Sequence, residues 1–207
     1  MAELSHVHRF EAASRPGRPA LLLLHGTGGD ENDLVPLVEM VSPGSAFVSP
    51  RGKVLENGMP RFFRRLAEGV LDEDDVRRRA NELADFIAEA RTAYDLPAPI
   101  ALGFSNGANV AAAVMLLRPD ALAGAVLIRA MVPLTEPPPE PPAARLDGTP
   151  VLILSGATDP LVPADNAARL AAMLEQAGAA VRHEIVSAGH NLSQADVALA
   201  QAWFDER

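Results

Sequence analysis

The 207-residue chain is expected to fold as an α/β protein, with a mostly parallel central sheet and helices on both faces. Three observations predict this. Short apolar runs alternate along the chain with longer stretches of helical period. Several runs are apolar at every position, as in Leu21-Leu22-Leu23-Leu24, which suits a strand covered on both faces. Glycine-containing turns end the runs at 25–30, 103–107 and 155–160, where an open parallel sheet presents its functional groups.

Taken in order, strands are expected at 7–12, 20–24, 46–49, 100–104, 125–128, 151–154 and 181–186. Helices are expected at 34–41, 72–94, 106–118, 163–177 and 193–204, with Pro119 and Gly178 stopping two of them. Within 72–94, Val76, Ala80, Leu83, Ile87, Ala90 and Tyr94 fall at alternating steps of four and three and form one buried stripe. The acidic start Asp72-Glu73-Asp74-Asp75 suits the positive end of that helix. The segment around 62–63 is expected to be part of a long loop. The segment 133–150 contains Pro137-Pro138-Pro139-Glu140-Pro141-Pro142 and is expected to be a stiff surface loop. A single domain over 1–207 accommodates all of these elements.

Composition removes several function classes. The chain is 48% apolar and 22% charged, and no stretch approaches the roughly 18 consecutive apolar residues that span a bilayer. The start, Met-Ala-Glu-Leu-Ser-His-Val-His, lacks the basic residues and apolar run of a secretory signal, so a cytoplasmic location is expected. Cysteine is absent, which excludes disulfides, thiolate metal sites and a thiol nucleophile. A net charge of −9 disfavours nucleic acid and anionic membranes as partners. The polar face of helix 72–94 mixes Arg77, Arg78 and Arg79 with many acids, which suits solvent better than a membrane. A homodimer is the base-rate expectation.

Gly103-Phe104-Ser105-Asn106-Gly107 fits G-x-S-x-G, the strand-to-helix turn that lifts a serine oxygen above a sheet. The context fits as well. Pro99-Ile100-Ala101-Leu102 enters as a buried strand, and the stretch from Asn106 to Leu117 leaves as a helix. A serine hydroxyl needs a base, and this architecture supplies its partners in the order Ser, Asp or Glu, His. Asp159 follows the run 151–154 in Ser155-Gly-Ala-Thr-Asp159-Pro160, and is the candidate orienting acid. His190 follows the run 181–186 in Ser187-Ala-Gly-His190-Asn-Leu, and is the candidate base. His183 lies inside a strand, His6 and His8 precede the core, and Asp165 falls in the first turn of a helix.

Leu24-His25-Gly26-Thr27-Gly28-Gly29-Asp30 is a strand end and glycine-rich turn, the place for one oxyanion-hole amide. Thr27 is the candidate for that donor, and Asn106, directly after the serine, for the second. His25 is expected to brace the loop. Neither G-x-G-x-x-G nor a Walker lysine occurs here, which argues against nucleotide binding. No metal or cofactor is needed for this chemistry.

The residues His25-Gly-Thr-Gly-Gly-Asp-Glu-Asn-Asp-Leu34, Ser49-Pro-Arg-Gly52, Glu56-Asn-Gly-Met-Pro-Arg-Phe-Phe-Arg-Arg-Leu66, Gly103-Phe-Ser-Asn-Gly-Ala108 and Met131-Val-Pro133 resemble a known group almost end to end. The chain is similar to the small carboxylesterase/phospholipase family of α/β-hydrolases that includes acyl-protein thioesterases, and within it to the hydroquinone-resistance-associated carboxylesterases. The resemblance implies a lidless hydrolase of small carboxylic esters or thioesters, with Ser105, Asp159 and His190 as its triad. Two departures stand out. Asn106-Gly107-Ala108 replaces the Gln-Gly-Gly of acyl-protein thioesterases, and Ile128-Arg129-Ala130 precedes Met131 where His-His-Pro is expected.

Pocket walls come from loops at the carboxyl ends of the strands, so Thr27, Leu34, Phe62, Phe63, Met131 and Leu134 are candidates for contact with substrate. Arg61, Arg64 and Arg65 suit salt bridges or solvent better than a substrate carboxylate. The expected activity is cleavage of a small ester through an acyl-enzyme on Ser105. An acyl thioesterase with the same triad, or a non-catalytic binding module of the same fold, are the alternatives.

Overall fold

The computed structural model describes residues 4–135 and 145–207, so the proline run at 137–142 lies outside the described residues. In chain order the elements are β1 (His8–Glu11), β2 (Leu21–Leu24), α1 (Val35–Val41), β3 (Phe47–Pro50), β4 (Val54–Glu56), β5 (Met59–Arg61), β6 (Arg65–Ala67) and β7 (Val70–Leu71). They continue with α2 (Glu73–Tyr94), β8 (Ile100–Phe104), α3 (Asn106–Leu117), a 3₁₀ turn (Pro119–Ala121), β9 (Gly124–Ile128), β10 (Pro150–Gly156), α4 (Ala164–Gln176), β11 (Ala180–Val186) and α5 (Gln194–Asp205).

Seven strands form one sheet in the order β1-β3-β2-β8-β9-β10-β11. Only β1 is antiparallel to its neighbour; every other pairing is parallel. The all-leucine run of β2 shows why such strands need no polar face. Leu22 and Leu24 enter a core beneath α2, α3 and α4, while Leu21 and Leu23 enter a second core beneath α1 and α5. The same division holds in β9 and β10: Ala125, Leu127, Val151 and Ile153 face the first core, Val126, Ile128, Leu152 and Leu154 the second.

Helix α3 lies between the sheet and α2 and is buried on every side, with Ala111, Ala112 and Ala113 wholly inaccessible. Small side chains allow that close sandwich. Helix α2 buries Val76, Ala80, Leu83, Ile87 and Ala90 of the expected stripe, with Tyr94 only half-buried at its end, and Asp72 caps it by accepting from Asp75 N–H at 3.2 Å. Asp75 differs from a simple dipole partner: its carboxylate is buried, accepts Arg64 N–H at 2.8 Å and pairs with Arg78 and Arg79. Burial opposes its charge, but those donors win and hold its pKa below the usual value.

The segment between β3 and α2 is more ordered than expected of a loop. It folds as two short hairpins, β4–β5 and β6–β7. Asn57-Gly58 supplies the first turn, with Glu56 paired to Met59 and both turn residues at positive φ, +51° and +80°. Asn-Gly is the local signal for such a turn. At the amino end, His6 and His8 also belong to the packed structure. The His6 ring lies 4.7 Å from that of Phe86, His8 Nε2 is 2.6 Å from the Tyr94 hydroxyl, and Phe10 stacks on Tyr94 at 3.9 Å.

Candidate active site

Ser105 stands between β8 and α3 with φ +51° and ψ −113°, a conformation that a residue bearing a side chain adopts only under constraint. The flanking glycines make the turn sterically feasible. A β-carbon on Gly103 would come within 2.8 Å of the Ala108 Cα, and one on Gly107 would overlap the Leu24 carbonyl oxygen. Ser105 N–H donates to Ile128 O at 2.8 Å, which ties the turn to β9.

The loops after β10 and β11 bring Asp159 and His190 to the same point. His190 Nδ1 lies 2.8 Å from Asp159 Oδ2, and His190 Nε2 lies 2.9 Å from Ser105 Oγ. Because a carboxylate only accepts, Nδ1 carries the proton and Nε2 is left to accept from the serine hydroxyl. The second carboxylate oxygen, Oδ1, accepts the N–H groups of Leu161 at 2.8 Å and Val162 at 3.2 Å, which fixes its orientation. The Asp159 side chain is buried, whereas the His190 side chain keeps an edge open. Such a chain can take a proton from Ser105 and return it to a leaving group.

Beside Ser105 lies the turn after β2. The N–H groups of Thr27 and Asn106 have no protein acceptor among the described residues; Asn106 is in the first turn of α3, where no intrahelical partner exists. Two braces hold the Thr27 loop. Buried His25 bonds through Nδ1 to Gly26 O at 2.6 Å and accepts Gly52 N–H on Nε2 at 3.0 Å. Arg51 grips both oxygens of Glu31 at 2.5 and 2.6 Å. Burial pushes the His25 pKa down, in keeping with a neutral ring whose Nε2 must accept.

Ser105, Asn106, Thr27 and His190 line a cleft of about 330 Å³. Its apolar walls are Phe104, Met131, Leu71, Leu161 and Val162; Arg65, Glu68 and Gly69 of the β6–β7 hairpin and Asn191 border it, and the buried Arg61 and Arg129 also line it. Among the residues expected at the substrate, Met131 is in the wall, but Leu34, Phe62, Phe63 and Leu134 are not. Phe62, Phe63 and Leu134 face inward to the core beneath α2 and α3, and Leu34 belongs to the core on the other side of the sheet. Burying each of them against other apolar side chains removes more surface from water than a cleft wall would.

Leu71 and the β6–β7 rim escaped sequence reasoning because the hairpins did; Asn57-Gly58 was the available signal for the first of them. Leu161 and Val162 follow from the turn that orients Asp159. Asn109, also in the wall, braces the site from α3 by accepting Met131 N–H at 2.9 Å. Arg61 and Arg65 both pair with Glu56, at 3.0 and 2.9 Å. Burial lowers the Arg61 pKa despite that partner, while the Arg65 bond holds Glu56 below the usual carboxylate range.

The sequence model of the phospholipase/carboxylesterase family matches residues 6–205. The chain belongs to this family. It is a carboxylic ester hydrolase with the α/β-hydrolase fold. MhqD of Bacillus subtilis (strain 168), described as a hydrolase, is 43% identical over 190 residues, covering 90% of this chain and 92% of MhqD. The crystal structure of the Bacillus cereus carboxylesterase superposes on the esterase with a TM-score of 0.91 at 43% identity, covering 98% of this chain and 94% of that one. A carboxylesterase from Mesorhizobium loti is similar at a TM-score of 0.90 and 31% identity, over 100% of this chain and 98% of that one. No helix of the esterase among the described residues is long and apolar enough to cross a membrane.

Proposed function

We propose that the chain is a serine carboxylesterase that cleaves small carboxylic esters through an acyl-enzyme on Ser105. The observation that carries this is the continuous hydrogen-bond line Asp159–His190–Ser105, at 2.8 and 2.9 Å, on the wall of a cleft with two unengaged backbone amides beside it. His190 takes the Ser105 proton as Oγ attacks the ester carbonyl. The carbonyl oxygen gains negative charge, and the Thr27 and Asn106 N–H groups hold it. His190 then gives the proton to the departing alkoxide, which leaves as the alcohol. Water, deprotonated by His190, attacks the acyl-enzyme, and collapse of the second tetrahedral intermediate returns Ser105 and releases the acid.

A cleft of about 330 Å³ is at the small end of ligand sites and supports a short acyl or aryl group against Met131, Leu161 and Val162. The test is hydrolysis of p-nitrophenyl esters from acetate to decanoate, run beside the matching acyl-CoA thioesters, with Ser105→Ala as control. Turnover is expected to peak at short esters and to fall by roughly 10⁶-fold in the control. A strong preference for the thioesters would replace the carboxylesterase with a thioesterase. Near-normal rates in Ser105→Ala would overturn the nucleophile.

A further inference from the structure

Arg129, directly after β9, has φ +57°, the left-handed region that is strained for a residue with a side chain. Its side chain is fully buried, and all five guanidinium N–H donors are engaged. Nη1 and Nη2 donate to Asp196 Oδ1 and Oδ2, each at 2.8 Å, and Nη1 also donates to Leu154 O at 3.2 Å. Nε donates to Gly189 O at 2.7 Å and Nη2 to Asn191 O at 3.2 Å. Gly189 and Asn191 are the residues on either side of His190. Asp196 is equally buried, and its Oδ2 also accepts Ser193 N–H and Oγ–H at 2.8 and 2.7 Å, fixing the start of α5, the helix that leaves the same loop. Gly156 leaves room for this packing, since a β-carbon there would lie 2.6 Å from Ala188 O and 3.1 Å from Arg129 Nε.

We infer that Arg129 and Asp196 act as a clamp that positions the His190 imidazole, an inference that rests on His190 being the base proposed above. Arg129 borders the cleft, but its guanidinium is wholly buried and fully engaged elsewhere and makes no bond to the Ser105, Asp159 or His190 side chains, so it is a positioning residue. Stability alone is a poor reason to bury such a pair, because desolvation offsets most of the Coulomb attraction. What the pair does supply is a rigid planar fork that fixes two carbonyls, one residue to each side of the base. A misplacement of about 1 Å at such a site can cost about 100-fold in rate.

The experiment compares Arg129→Lys and Asp196→Asn with the wild type. It reads kcat and KM for p-nitrophenyl acetate, the rate at which a fluorophosphonate labels Ser105, and near-ultraviolet circular dichroism as a check of folding. Folded variants are expected to lose about 10–100-fold in kcat and in labelling rate together, with KM changed less than about twofold. A purely structural pair would leave kcat per folded molecule unchanged. Folded Arg129→Lys with kcat within about twofold of wild type, or with a raised KM alone, would overturn the clamp. Wild type that fails to label would instead overturn the serine-hydrolase proposal, so the two failures are separable. If the single variants do not fold, Arg129→Met combined with Asp196→Leu removes both charges and orphans neither. The same criteria then apply, and failure of that pair to fold as well would assign Arg129 and Asp196 to the stability of the fold and overturn the positioning role.

Discussion

Gly107 is packed so closely beneath the carboxyl end of β2 that a β-carbon on it would overlap the Leu24 carbonyl oxygen and lie 2.6 Å from that of His25. Both obstacles are backbone, so neither can swing away as a side chain would. The contact links the helix that follows Ser105 to the loop that carries Thr27, and sets the distance between the two amides proposed to hold the oxyanion.

Gly107→Ala is therefore expected to push α3 away from β2. The overpacking should cost about 1–3 kcal/mol. At this chain length that is a fall of about 2–4 °C in melting temperature per kcal/mol. Turnover should fall further than stability requires, because the two amides separate. Calorimetry and ester kinetics on the same sample check this; an alanine variant with wild-type kcat would show that the two amides do not act together.

Asn109→Ala removes the acceptor of the Met131 amide, 2.9 Å away, and leaves that donor unpaired beside the cleft. A loss of about 1–3 kcal/mol is expected. Met131 then loses its fixed place in the wall, so KM should rise while kcat changes little. Steady-state kinetics with two esters of different acyl length measure it, the longer being affected more.

Stability is expected to fall as pH drops below about 6.5, well before carboxylates titrate. Burial, seconded by Lys53, lowers the His6 pKa to about 4, and burial also lowers that of His25. Between about 4 and 6.5 the unfolded chain holds a proton on His6 that the folded chain does not, so stability rises with pH across that window and is complete above it. The slope is at most about 1.4 kcal/mol per pH unit for each such histidine. Melting curves from pH 4.5 to 8 read it directly, and His6→Gln should flatten the dependence.

The sheet, its five helices and the convergence of Ser105, Asp159 and His190 were legible because each rests on a local signal. A glycine-flanked serine and an aspartate in a turn before proline follow apolar runs that suit covered strands, and a histidine in a glycine-containing loop follows the half-polar edge strand β11. The cleft wall was not legible for the opposite reason. Phe62 and Phe63 are adjacent, and in a regular strand such neighbours point to opposite faces; here Phe62 N–H is held by Asn106 Oδ1 at 2.7 Å and Phe63 O by Arg61 Nε at 3.1 Å, and both rings are buried in one core. Leu34 opens α1 and Leu134 lies in the segment after β9, and nothing in one sequence separates a cleft wall from a core position there. Arg129 appeared only as a departure from the expected His-His-Pro, since its partners lie at 154, 189, 191 and 196 and no local pattern joins them.

The parallel sheet has a consequence for how the chain reaches this state. The strand β2 pairs residue 21 with residue 100, so its four leucines have no partner on the β8 side until far more of the chain exists. A ribosome adding about 5–20 residues per second needs several seconds to supply that partner. During that interval the nascent chain carries a run suited to intermolecular association, and its yield should depend on synthesis rate and on chaperones more than the stability of the finished fold would suggest.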